Sequence, residues 1–253
     1  MSDDSVHPEP RTRPDFNAWV EYCFVHGYYD WANWSTDPVE VAEARQAEFV
    51  DLIDPVVLAE HMTRLFESPA FIADRYNDEQ ITRATWFFFG ISSYYFYEIR
   101  DSPAVSESLR DRCIRSVATM YTDLYDKVCG KGPDDHAMGK DEMIKAIYQL
   151  PDLDGAVFMI WDMDSFGYVA IPTDEVDAAF ERGYAVLEAA LMRCKTSACR
   201  LSALHGIGHS VRMFEESAKN NRLRSLVDQF LAECEVPGWL AEYADCARFG
   251  AVQ

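Results

Sequence analysis

Residues 103–129 read PAVSESLRDRCIRSVATMYTDLYDKVC. Apolar residues recur at Val105, Leu109, Cys113, Val117, Met120, Leu124 and Val128, in steps of four, four, four, three, four and four. Only a period near 3.6 gathers such positions on one face, so the stretch predicts an amphipathic helix. Ser102 before Pro103 predicts an N-cap with proline at the first helical position. Gly130, Gly132 and Pro133 stop it.

The same period extends both ways. In TDEVDAAFERGYAVLEAALMRC (173–194), a capping Thr173 precedes a face of Val176, Ala179, Phe180, Tyr184, Leu187 and Leu191. RLRSLVDQFLAEC (222–234) ends before Pro237-Gly238, and WLAEYADCARFG (239–250) ends on Gly250. Upstream, DFNAWVEYCFVHGYYDWANW (15–34) is interrupted at Gly27, and Asp37-Pro38 and Asp54-Pro55 each mark a helix start. The strongest strand candidate, GAVFMIWDM (155–163), fits a buried helix equally well. ITRATWFFFGISSYYFYEI (81–99) has the length of a membrane span, but Arg83, Glu98 and its serines and tyrosines make it a core segment. The expectation is an all-α fold, an irregular array of about ten antiparallel helices. A disordered acidic tail over 1–14 precedes a single domain over 15–253, with a soft loop or hinge at 130–142.

Composition narrows the function. Hydrophobic residues make up 49% of the 253, enough for a substantial core. The net charge of -20 is uneven. Residues 1–60 carry 13 acidic against 3 basic residues, and 132–181 carry 12 against 2. The remaining segments are nearly neutral. With no basic stripe, direct nucleic-acid binding is disfavoured, while a basic protein partner is electrostatically suited. The opening MSDDSVHPEPRTRPDF lacks an apolar run behind a basic start, which predicts a cytoplasmic chain. Seven scattered cysteines without Cys-x-x-Cys fit reduced thiols, several in the core.

The helices around ACRLSALHGIGH, NRLRSLVDQFLAEC and PGWLAEYADCARFG, within residues 196–250, resemble the helix pairs of HEAT and armadillo-type repeat proteins in length and apolar spacing. The resemblance implies an α-solenoid-like superhelix whose usual role is protein binding. The N-terminal half, dense in aromatics and without a period of that length, departs from it.

Within that region, His205 and His209 lie four apart on a helix, the spacing of zinc-binding histidine pairs. Gly206 stands where a metalloprotease has glutamate, and no third ligand is evident, so no metal or cofactor is expected. The alternative is a tightly packed helix end whose glycines admit a neighbour. Glu-x-x-His pairs of the di-iron type are absent. Asp162-x-Asp164 fails as a calcium loop because Phe166 and Thr173 fall on ligand positions. Asp152-x-Asp154 lacks a ligand set, so both acid pairs read as solvated loop residues. Cys23 with His26 reads as a core cysteine. The leading expectation is a non-enzymatic adaptor with acidic faces, of immunity or antitoxin type, that neutralises a basic partner. Its contacts would be Asp152, Asp154, Trp161, Asp162 and Asp164, with Glu21, Asp30 and Trp34 from the aromatic N-terminal cluster. The alternative is a metal-dependent enzyme or small-molecule binder using His205 and His209.

Overall fold

Side-chain caps set where several of the helices begin. The computed structural model describes residues 10–27, 48–90, 93–130, 150, 152–162, 166–171, 177–214 and 217–252. Among these the chain is helical, with no strand. Helix α1 (Phe16–Glu21) runs into a π turn over Tyr22–His26. Asp54 Oδ1 then accepts the N–H groups of Val56 (2.9 Å) and Val57 (3.2 Å), and Pro55 opens α2 (Pro55–Glu67) as the sequence predicts. A short α3 (Ile72–Arg75) leads to α4 (Asp78–Phe89), where Asn77 and Gln80 form a reciprocal capping box.

The aromatic stretch 81–99 is two elements, because α4 ends at Phe89 and α5 (Tyr95–Asp101) starts after Tyr94, held at φ 57°. No helix among the described residues is long and apolar enough to cross a membrane. Phe87, Phe88, Phe89 and Phe96 are buried instead.

The start of α6 (Glu107–Thr119) differs from expectation. Ser106, not Ser102, is its cap, accepting the Leu109 N–H at 3.2 Å. Ser102 to Val105 form a turn closed by the Val105 N–H on the Ser102 carbonyl (3.2 Å), so Pro103 bends the entry. Beyond Thr119 the helix widens into a π turn over Met120–Tyr125 and closes with α7 (Asp126–Val128). Residues 155–161 are helical, as α8 (Asp152–Phe158) and a 3₁₀ turn over Met159–Trp161.

The remaining helices are α9 (Phe166–Ala170), α10 (Asp177–Arg193), α11 (Ser197–Met213), α12 (Ala218–Glu233) and α13 (Gly238–Arg248). Gly250, at φ 68°, ends α13: its N–H bonds Ala247 and that of Ala251 bonds Cys246. The Thr173 cap and most of the 130–142 loop lie outside the described residues. Residues 11–14, read from the sequence as the end of a tail, lie against 51–54. The Thr12 N–H donates to the Leu52 carbonyl (2.7 Å) and the Asp54 N–H to that of Thr12 (2.8 Å).

Packing runs α2 on α6, α6 on α10, α10 on α11 and α11 on α13, with α8 wedged between α4 and α11. Helix α11 is therefore surrounded. From Leu201 to Gly208 every residue is buried. Two glycines make this possible: a Cβ on Gly206 would lie 2.5 Å from Trp161 Cγ, and one on Gly208 2.5 Å from Val252 Cγ2. Gly206→Ala is expected to destabilise the fold by about 1–3 kcal/mol, since a rigid indole rather than a flexible chain end must give way. Urea denaturation of both proteins measures it, and an unchanged midpoint would show that the indole is not seated there.

Candidate functional site

The glycine that admits Trp161 also fixes the residue after it. Asp162 follows the 3₁₀ turn, its N–H bonded to the Met159 carbonyl at 2.9 Å. A buried relay holds that turn to α11. Trp161 Nε1 donates to Tyr121 Oη (3.0 Å), Tyr121 Oη lies 2.8 Å from Ser202 Oγ, and Ser202 Oγ donates to the Val157 carbonyl (2.6 Å). Because Ser202 spends its proton on Val157, Tyr121 donates to Ser202 and is free to accept from the indole. With Trp161 against Gly206, Asp162 falls beside His205 and His209.

The three side chains converge. His205 Nε2 and His209 Nε2 are 3.1 Å apart. Asp162 Oδ1 lies 3.4 Å from His209 Nε2, and Oδ2 lies 3.8 Å from His205 Nε2. With one donor atom taken per residue, the three lie within 4.8 Å of one another, close enough for side-chain rotation to bring them onto one cation. Helix α13 adds an orienting contact: Tyr243 Oη is 2.7 Å from His205 Nδ1. The contact fixes the orientation of the His205 ring, with Nε2 turned toward Asp162 and His209.

Burial is graded across the site. The His205 side chain is 1% exposed, that of His209 28% and that of Asp162 37%. The Phe158 ring, 4.2 Å from the His205 ring between centroids, supplies an apolar wall. The adjacent His205 imidazole, with further help from His209, holds the Asp162 carboxyl below its usual range. Desolvation chiefly, with the neighbouring His205, holds His209 below its usual value, although Asp162 opposes this. Both shifts favour an ionised carboxylate and a neutral imidazole, the states in which these groups bind cations.

The other residues singled out from the sequence fall elsewhere. Asp154, read as a solvated loop acid, is buried in α8 and accepts the Gly130 N–H at 2.9 Å; burial raises its carboxyl. Asp152 is exposed in the first turn of the same helix. Trp161 is buried, and Glu21 is engaged by Arg75 (2.6 Å) and Tyr76 Oη (3.1 Å). Asp30, Trp34 and Asp164 lie outside the described residues. The structure thus gathers Trp161, Asp162, His205 and His209 at one place, and adds Tyr243. No spacing rule links position 162 to 205; the available signal was Gly206, a gap in a helix face that something must fill.

No protein-family model, curated protein or solved structure matches the chain.

Removing the Tyr121 hydroxyl tests how the site is held. Tyr121→Phe leaves the Trp161 N–H without its acceptor and is expected to cost about 1–3 kcal/mol in urea denaturation. A loss near zero would mean that the relay does not anchor the turn carrying Asp162.

Proposed function

We propose that the protein is a metal-dependent enzyme whose centre is Asp162, His205 and His209. The observation that carries the reading is the convergence of two imidazole Nε2 atoms and one carboxylate, with donor atoms within 4.8 Å of one another. Two histidines and a carboxylate suit a divalent transition cation such as zinc or iron(II). Closed structural sites supply four protein ligands, whereas three with an open side leave a position for water or substrate. The exposure of Asp162 and His209 supports an open side here. A cation so held would supply Lewis acidity and a water of lowered pKa, which makes hydrolysis the reaction class. The chain's own contribution is orientation: Tyr243 directs His205, and Trp161 on Gly206 places Asp162.

Protein purified without a histidine tag is expected to hold one such cation per chain at this centre, read by elemental analysis as the difference in metal content from the variants that follow. Asp162→Ala and His205→Ala/His209→Ala should each lose it. Tyr243→Phe should keep the fold and weaken binding about 10- to 100-fold. Full metal content in the double-histidine variant would end the proposal.

The charge supports a second reading, the acidic cytoplasmic adaptor for a basic protein, of immunity or antitoxin type. Acidic residues number 43 against 23 basic. Several surface arginines are tied to carboxylates, including Arg75 to Glu21, Arg112 to Glu67 and Arg222 to Glu181, so the surplus is acid. The repeat-like helices α11 to α13 would supply the scaffold. A lysate pull-down should then retain a basic protein at low salt and release it at high salt. Retention independent of salt would count against this reading.

A further inference from the structure

A second group of donors lies at the other end of α11. Asp126, Cys194 and Cys199 place donor atoms within 4.8 Å of one another. The Cys129 thiol lies close to that of Cys199 but outside this group of three. The four residues come from three elements. Asp126 and Cys129 are one turn apart at the end of α7, Cys194 follows α10, and Cys199 lies in the first turn of α11. All three thiols are buried, Cys199 fully. Asp126 Oδ1 accepts the N–H groups of Lys195 and Thr196, each at 2.7 Å, which pins the carboxylate to the turn between α10 and α11.

A core cysteine needs only apolar neighbours, and isolated thiols scattered through a core would meet that need. Here two of the chain's seven thiols meet beside a carboxylate, with a third close to one of them. We infer that Asp126, Cys194 and Cys199 are the core of a second, closed metal site that takes a thiophilic divalent cation of the zinc class, with the neighbouring Cys129 thiol turning in as the fourth ligand. Four protein ligands, mostly sulfur, with little exposure are the features of a structural rather than a catalytic site. Each thiol binds as thiolate and passes its proton to solvent. Surplus negative charge in the loaded site is offset by Arg200, whose Nε donates to the Cys194 carbonyl at 2.9 Å, and by the N-terminus of the 17-residue α11. The site clamps α7 to the turn between α10 and α11. This inference is independent of the histidine centre.

Cobalt(II) titration of the reduced full-length chain tests it, because thiolate ligands give a near-ultraviolet charge-transfer band that imidazole and carboxylate do not. The band should appear in the wild-type chain, saturate at one equivalent per chain in His205→Ala/His209→Ala, where the histidine centre no longer competes, and vanish in Cys194→Ser/Cys199→Ser. Since serine in the core can itself disturb folding, the wild-type chain is also alkylated in mild urea with and without cadmium. Cadmium should slow modification of Cys129, Cys194 and Cys199 by roughly 100-fold at a concentration 100 times Kd, if labelling requires opening. It should leave the half-buried Cys234 and Cys246 unchanged. No band, a band lost with the histidines, or protection spread over all cysteines would each overturn the inference.

Discussion

Contact between the Trp161 indole and the bare backbone of Gly206 is the constraint on which the site depends. A Cβ at position 206 would meet the ring at 2.5–2.6 Å, well inside van der Waals contact. Glycine within a helix costs about 1 kcal/mol relative to alanine. In α11 that cost is offset by close packing on opposite sides: Trp161 and Leu187 at Gly206, Val252 at Gly208. The helix can then be buried all round and still present two histidines toward the single residue, Asp162, that the indole carries behind it.

The polar interior follows from the same packing. Tyr121 and Tyr125 sit in the π turn, and both hydroxyls find partners, Ser202 with Trp161 for one and Thr85 (3.0 Å) for the other. A buried hydroxyl left unmatched would cost more than its bond returns, so such networks specify one arrangement of helices. The widened turn changes the facing of residues after Thr119, which lets one continuous element send Cys113 and Val117 into the core near α2 and α10, and Tyr121 toward α8 and α11.

Helix identity was legible in the sequence where period and caps agreed. The face from Leu109 to Leu124, the Asp54-Pro55 start and the Gly250 stop all stand in the structure. The cap of α6 was misplaced because Ser102-Pro103 and Ser106-Glu107 offer the same chemistry one turn apart, and only the packing of Val105 as a buried turn residue selects the second. The histidine pair was visible, but its partner was not. Asp162 lies 43 positions before His205 and reaches it through a tertiary contact, for which periodicity carries no signal. Asp154 misled for a related reason: an acid in a polar run reads as solvated, yet the fold buries it to hold the Gly130 N–H.

Acidity itself does not choose between a cation centre and a protein-binding surface. A net charge of -20 would favour a basic protein, and the same potential would concentrate divalent cations. What separates the two is short-range geometry. Long-range attraction is indifferent to whether carboxylates are scattered or convergent, and it weakens with salt. Coordination requires donors within a few ångströms, in their deprotonated states, oriented by further contacts. Asp162, His205 and His209 converge in this way, with Tyr243 behind one imidazole and the Asp162 carboxyl held below its usual range. Glu21, the other surface acid singled out from the N-terminal cluster, is instead taken up by Arg75 and Tyr76. On the proposed reading the balance moves from the surface to the centre: charge would bring cations near, and the arrangement around α11 would decide where one is held.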